Sequence, residues 1–75
     1  MTLDQLKKSD CALIKKINCN SSLKNRFYSF GIVKNSIIKV EELTITKSTI
    51  EIKIDNTKVA LRLNEASTIE VEKCK

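Results

Sequence analysis

The sequence predicts a small, mainly β protein in which five short strands form one barrel, with one helix between the first two strands. The 75 residues suffice for a single domain, predicted over 1–75, and so short a chain buries only about 60 to 65% of its unfolded surface. Ten residues are isoleucine and only three are aromatic, which favours half-buried pleated strands over a helical bundle. Several segments alternate apolar and polar residues between turn-forming residues, and wrapping such strands into a barrel removes exposed edges.

The N-terminal part predicts a helical turn followed by a first strand. A capping-box pattern over residues 2–5 predicts one short turn that lays two leucines on the core. Residues 11–17 predict strand 1, with Ala12 and Ile14 on one face and Leu13 on the other. Because Ile17 breaks this alternation, we expect a bulge or a strand end near Lys16.

The segment after strand 1 predicts the one helix of the barrel, over residues 22–30 with Ser21 or Ser22 as its N-cap. The apolar residues at positions i, i+4 and i+7 of this helix are Leu23, Phe27 and Phe30. They form one stripe, so we expect them to be buried. Gly31 is the only glycine in the chain, and its place after the stripe predicts a left-handed C-cap that ends the helix.

After the helix, the period of the apolar residues changes from 3.6 to 2, which predicts four strands and their connections. Residues 36–43 predict strand 2, and residues 67–72 predict the last strand. Residues 44–48 fit either an irregular continuation of strand 2 or a loop. The residues predicted to form the structural core are Leu23, Phe27, Phe30, Gly31, Ile52 and Leu61.

The third and fourth strands predict a hairpin around the turn-forming residues Asp55, Asn56 and Thr57. The side chains that must share one face are Ile50, Ile52, Ile54, Val59, Leu61 and Leu63. A slip of one residue would turn the three isoleucines toward water, so the register is strongly specified.

The residue types argue against a metal site, a cofactor and catalysis. Cys11, Cys19 and Cys74 are an odd number without a CxxC pair, and the chain has no histidine; we therefore predict that these cysteines are neither paired nor metal-bound. The missing histidine also removes the most frequent general base, and no glycine-rich phosphate loop is present. The sequence predicts a non-enzyme without a cofactor.

Charge and hydropathy predict a soluble protein of the cytoplasm with a positive first half. Residues 1–40 carry eight lysines and arginines against two acids, whereas residues 41–75 carry six against seven. No apolar run approaches the roughly 18 residues of a membrane helix, and the N-terminus does not resemble a signal peptide. The positive half could attract an acidic protein, nucleic acid or an anionic membrane, and charge alone does not choose among them.

These residues resemble the FeoA family over almost the whole chain. The most specific matching segments are Leu23-x-x-Arg26-Phe27-x-x-Phe30-Gly31-Ile32 and Val59-Ala60-Leu61-Arg62-x-x-Glu65-Ala66. The resemblance implies a cytosolic SH3-like barrel without enzymatic activity. It also implies an accessory or regulatory role with FeoB, a membrane transporter of ferrous iron that carries a cytosolic GTPase domain.

The chain departs from the family where the family has glycine in turns. Near positions 9, 35 and 56 this chain has Ser9, Asn35 and Asn56. Asparagine visits the left-handed backbone region more readily than other non-glycine residues, so the two asparagines are sound substitutes, whereas Ser9 has no such explanation. The Gly-Asp-Pro that often precedes strand 3 in the family is replaced by residues 47–49, Lys-Ser-Thr.

The helix also supplies the candidate binding residues. Lys24, Arg26 and Tyr28 are predicted to form a cationic and aromatic patch that contacts a protein partner. The alternative is a small basic barrel that binds nucleic acid, or an SH3-like module of the kind found in metal-dependent regulators. Nucleic-acid binding would need exposed aromatic side chains for base stacking, and Tyr28 is the only candidate.

Overall fold

The computed structural model describes residues 1–44 and 46–74, which form a mainly β fold with few helical turns, as predicted. A 3₁₀ turn spans Leu3–Gln5. The strands are β1 (Cys11–Ile17), β2 (Ile37–Thr44), β3 (Thr49–Ile54), β4 (Thr57–Arg62) and β5 (Ile69–Lys73), and the helices are α1 (Ser21–Ser29) and α2 (Leu63–Ala66).

The five strands form one antiparallel sheet in the order β4-β3-β2-β1-β5. β4 and β5 are therefore the two edges, and the barrel is not strictly closed by a ladder between them. The four-residue helix α2 follows β4 and leads toward β5. The N-terminus lies beside β5, where the Val71 N–H donates to the Met1 carbonyl at 2.8 Å.

The β3–β4 hairpin has the regular register that the alternation predicts. Ile50 faces Leu61 and Ile52 faces Val59, and no bulge interrupts the pairing. The strand ends at Arg62, so Leu63 lies in α2 and is only partly buried. The prediction that Leu63 continues the strand is therefore wrong, because the chain turns into a helix one residue earlier.

The β1–β5 pair contains the irregularity that Ile17 predicts. Ile14 pairs with Val71 and Lys16 pairs with Glu70, so the register shifts between these two steps. Lys15 is the extra residue on β1, as expected for a bulge. As a result Lys15 and its neighbour Lys16 are both exposed.

One apolar core fills the inside of the curled sheet, and all fully buried side chains within residues 1–44 and 46–74 are apolar. The largest fully buried side chains are Phe27, Leu3, Leu6, Ile14, Ile32, Ile38, Ile50, Ile52, Leu61, Ile69 and Val40. Leu3 and Leu6 come from the N-terminal turn, in which the Thr2 N–H donates to Gln5 Oε1 at 2.8 Å. The turn and its two buried leucines agree with the capping-box pattern.

The turns adopt left-handed backbone at several non-glycine residues. Ser9 has φ 73°, Asn35 has φ 75° and Ser48 has φ 53°. In the β3–β4 hairpin the positive φ belongs to Asp55, at 54°, rather than to Asn56. Asp and Asn both tolerate this region, so the composition of the turn does not determine which of the two takes it.

The connection between β2 and β3 is a turn at residues 46–48, and β2 extends to Thr44. The Leu63 N–H donates to the Ser48 carbonyl at 2.8 Å and ties this turn to α2. The alternatives left open for residues 44–48 therefore resolve into a strand end and a turn, except at Ile45, which lies outside the described residues, as does Lys75. None of the helices described is long and apolar enough to span a membrane.

Candidate functional site: a cationic groove beside helix α1

Helix α1 begins one residue earlier than predicted, and its cap is a different side chain. Asn20 Oδ1 accepts a hydrogen bond from the Leu23 N–H at 2.9 Å, so Asn20, and not Ser21 or Ser22, is the N-cap. Asparagine and serine are equally good caps. Local cap preference therefore does not decide between Asn20 and the two serines that follow it.

The C-terminus of α1 is a Schellman motif built on Gly31. Gly31 has φ 88°, the Ile32 N–H donates to the Phe27 carbonyl at 2.9 Å, and the Gly31 N–H donates to the Tyr28 carbonyl at 3.0 Å. Phe27 and Ile32 are both fully buried. This termination satisfies the last carbonyls of α1 and fixes the outer face of the helix beside β1.

The residues predicted to form the structural core differ in their depth. Phe27, Ile52 and Leu61 are fully buried, whereas Leu23 and Phe30 pack against the core from its margin and Gly31 is half-buried. Phe30 is the C-cap residue of α1, and its ring lies beside the exposed Arg26 guanidinium at the margin of the core. The expectation that Phe30 is as buried as Phe27 is therefore corrected.

The outer side of α1 faces β1 across a shallow groove of about 330 Å³. The residues lining it are Lys15, Lys16, Ile17, Lys24, Tyr28 and Lys34. Lys24 Nζ lies 5.9 Å from the centre of the Tyr28 ring, within the range of a cation–π contact. Tyr28 is 47% exposed. Two of the three predicted binding residues thus lie together in a groove that carries four lysines.

Arg26 does not belong to this groove. Its guanidinium lies 5.9 Å from the centre of the Phe30 ring, and its Nη1 is 3.0 Å from Glu65 Oε2. Glu65 Oε1 also accepts from the Arg62 N–H at 3.1 Å, so this carboxylate joins α1 to the start of α2. Residues two apart on a helix point in nearly opposite directions, which separates Arg26 from both Lys24 and Tyr28.

Sequence reasoning missed three of the four lysines in the groove. Lys15 and Lys16 enter it together because of the bulge in β1, and Lys34 enters from the turn after α1. The Asn35 N–H holds that turn against β1 by donating to the Ile14 carbonyl at 2.8 Å. The excess of positive charge in residues 1–40 was the only signal for this cluster.

Lys15 is the one groove lysine with an ion pair among the described residues: its Nζ is 3.6 Å from Glu72 Oε2, and both side chains are more than half exposed. An exposed pair of this kind is strongly screened by solvent. The groove is therefore positively charged and open to an anionic group. It offers no general base or nucleophile arrangement, and the described residues contain no group of three metal-ligating side chains.

A second and larger hollow, of about 620 Å³, lies between the turn before β3 and the start of α2. Its lining residues are Lys47, Ser48, Thr49, Arg62, Leu63 and Asn64. It contains two cations and no aromatic side chain. The groove beside α1 is the better candidate site because it combines a denser positive charge with an exposed tyrosine, the residue types that interface anchors favour.

Comparison with known proteins confirms the family that the motifs indicate. The family model described as the FeoA domain matches residues 1–73. Over 71 residues the chain is 42% identical to a Campylobacter jejuni protein that carries the name Fe(2+) transport protein A, and the alignment covers 95% of this chain and 96% of that protein.

Solved structures support the same assignment. The solution structure of a FeoA protein from Chlorobium tepidum matches with a TM-score of 0.93 over 100% of this chain and 71% of that one, at 25% identity. A manganese-dependent transcriptional repressor matches with a TM-score of 0.91 over 99% of this chain but only 36% of the repressor, at 22% identity, which is a likeness of fold alone. The SH3-like fold is thus confirmed, and the chain belongs to the FeoA family.

Proposed function

We propose that this protein is an accessory, regulatory partner of a bacterial ferrous iron transporter and that it acts in the cytoplasm by binding the cytosolic part of a FeoB-like transporter. The family match over residues 1–73 and the relative named for Fe(2+) transport support the transport system. The observation that carries the binding mode is the groove in which four lysines surround the exposed Tyr28. The proposal assigns the chain no catalytic step and no cofactor.

The charge of the groove favours an acidic partner surface. Lys16, Lys24 and Lys34 line it together with Lys15, whose pairing with Glu72 at 3.6 Å is weak. Complementary charge of this kind raises the rate of association more than it lengthens the life of the complex. The lysines are therefore expected to steer the partner toward the groove.

Tyr28 is the candidate anchor once the partner has arrived. Its ring presents an apolar face and a hydroxyl with few degrees of freedom, a combination frequent among the residues that dominate binding energy. A tyrosine side chain has only two χ angles, and Lys24 Nζ already lies 5.9 Å from the centre of its ring. Less conformational entropy is then lost on association.

The test is binding kinetics between the full chain and the purified cytosolic GTPase domain of the FeoB-like transporter from the same organism, measured by biolayer interferometry at low and high salt. Lys24→Glu should slow association and weaken its salt dependence. Tyr28→Ala should mainly raise the dissociation rate, by a factor that corresponds to about 1 to 2 kcal/mol. Lys16→Glu should act like Lys24→Glu, because both lysines line the groove.

The matched control is Lys47→Glu, which reverses one exposed charge in the larger hollow. It should bind as the original protein does. Equal binding by Lys24→Glu, Lys16→Glu and the original protein would show that the groove is not the interface. Loss of binding by Lys47→Glu alone would move the interface to the larger hollow.

Duplex and single-stranded DNA serve as the second ligand in the same assay, because the fold is shared with a transcriptional repressor. We expect weak binding that disappears at moderate salt, since stacking on single-stranded DNA would depend on Tyr28 alone. Tight binding to DNA with a steep salt dependence would replace the proposed function with a nucleic-acid-binding one.

A further inference from the structure

The β1–β5 pairing brings together two cysteines that lie 63 positions apart in the sequence. Ala12 faces Lys73 and Leu13 faces Glu72. One further step in this register places Cys11 opposite Cys74, and the Cys74 N–H donates to the Cys11 carbonyl at 2.8 Å. The two cysteines are thus direct cross-strand neighbours.

Cross-strand neighbours meet the backbone requirement for a disulfide. The hydrogen bond from the Cys74 N–H to the Cys11 carbonyl marks a hydrogen-bonded pair, in which the Cα atoms lie about 5.5 Å apart, and disulfides span Cα separations of about 4.4 to 6.8 Å. Both cysteines are free and only partly buried. A small oxidant can therefore reach the pair without unfolding the sheet.

The electrostatic environment of Cys74 reflects the nearby Cys11. The pKa of the Cys74 thiol is raised, first because it is hydrogen-bonded with the Cys11 thiol and then because it is partly removed from water. The pairing of the two cysteines itself rests on the β1–β5 register and on the hydrogen bond from the Cys74 N–H to the Cys11 carbonyl. The third cysteine, Cys19, lies on the loop between β1 and α1 and packs against the core.

Spacing along the sequence predicts unpaired cysteines, and all three are free in the structure, but the β1–β5 register brings two of them together. We propose that Cys11 and Cys74 are a redox-active dithiol that forms an intramolecular disulfide by exchange with a small-molecule disulfide such as oxidised glutathione. The sulfur of one cysteine attacks a sulfur of the small disulfide and releases one small thiol. The sulfur of the other cysteine then attacks the mixed disulfide and releases the second. Two protein thiols are oxidised, one small disulfide is reduced, and the two protons leave with the two small thiols.

The disulfide would act as a clasp at the edge of the sheet. β5 is an edge strand and Cys74 directly follows it. Linking residue 74 to residue 11 closes a loop that contains almost the whole chain, which restricts the unfolded ensemble and prevents β5 from separating from β1. Formation of this disulfide does not depend on the proposed transporter partner.

The test equilibrates the full chain with mixtures of reduced and oxidised glutathione and follows intact mass, peptide mapping and thermal unfolding. We expect a monomer that loses two hydrogen atoms, a mapped link between Cys11 and Cys74, and a rise in Tm of about 8 °C or more. Cys19→Ser should behave in the same way as the original protein.

Cys74→Ser and Cys11→Ser should each abolish both the mass change and the rise in Tm. Cys74→Ser is less disruptive to folding than Cys11→Ser, because Cys74 lies beyond the last strand. The proposal is overturned if the mapped link contains Cys19, if oxidation yields only disulfide-linked dimers or stable glutathione adducts, or if Cys74→Ser retains the rise in Tm.

Discussion

The β3–β4 hairpin and the β1–β5 pair are both antiparallel ladders, yet they differ in regularity and in what they carry. The hairpin joins neighbouring strands, has an uninterrupted register and contributes mainly alternating buried residues. The β1–β5 pair joins the two ends of the chain and shifts register after Ile14. It supplies two lysines of the groove and places Cys11 opposite Cys74. Both ladders contribute to the core, but the long-range ladder also contributes residues to the candidate sites.

The two ladders also differ in their ion pairs. The β1–β5 region contains Lys15 with Glu72 at 3.6 Å and Lys73 with Asp10 at 3.4 Å. Among the described residues no ion pair bridges β3 and β4. Exposed pairs contribute little stability each. They therefore indicate that the long-range ladder presents charge at the surface, and not that it is the more stable of the two.

The largest expected loss of stability comes from substitutions in the core, to which both ladders contribute. Ile52 in the hairpin and Ile14 in β1 are both fully buried, so replacing either with alanine should cost about 2 to 5 kcal/mol. Urea unfolding of Ile52→Ala and Ile14→Ala measures both costs. A clearly smaller cost for Ile14→Ala would show that the β1–β5 pair opens separately from the rest of the core.

A smaller change in stability is expected at the non-glycine residues with left-handed backbone that lie next to each ladder. Ser9, with φ 73°, precedes β1, and Asp55, with φ 54°, turns the hairpin. Ser9→Gly should raise the free energy of unfolding by about 0.5 to 1 kcal/mol, because glycine removes a steric cost of roughly 1 to 2 kcal/mol while adding backbone entropy to the unfolded chain.

Asp55→Gly is the matched variant and should gain less, since aspartate tolerates the left-handed region. Both are measured by urea unfolding. A loss of stability in Ser9→Gly would mean that the serine hydroxyl contributes more than the backbone strain costs.

The smallest expected effect is the pH dependence at the start of the β1–β5 pair. The pKa of Asp10 is lowered, first by the hydrogen bond from the Lys7 N–H, at 2.8 Å, and further by the nearby Lys73 ammonium. A lowered folded-state pKa contributes stability that is present above the ordinary pKa of about 4 and is lost as the pH falls through the folded value.

Unfolding measurements of Asp10→Asn across this range should therefore show the variant to be less stable at neutral pH and to approach the original protein in acid. Lys73→Gln should reduce the pH dependence of stability by a smaller amount. The Lys7 N–H, which lowers the pKa of Asp10 more than Lys73 does, remains in that variant. A constant difference between Asp10→Asn and the original protein at all pH values would contradict the assignment.

Much of the core could be predicted from the sequence, as could the bounds of the strands and of α1 to within two residues, whereas the short helix α2 was not predicted. The isoleucine alternation specifies the hairpin register, Ile17 indicates the bulge, and Gly31 ends α1 with φ 88°. These features depend on side-chain period and on backbone preferences that act over four or five residues, so they are encoded locally. The errors in local detail, such as Asn20 in place of a serine as the N-cap, are choices between residues of equal preference.

The candidate sites depended on tertiary structure. Arg26 pairs with Glu65 instead of joining Lys24, and Lys34 reaches the groove only because its turn is hydrogen-bonded to β1. Residues 11 and 74 show no sequence relation, and their contact requires the β1–β5 register. By itself the sequence determined which faces are buried and where the turns fall, because those follow from near neighbours. Only the tertiary structure decided which surface charges and thiols meet, because long-range register and one extra residue in β1 set their positions.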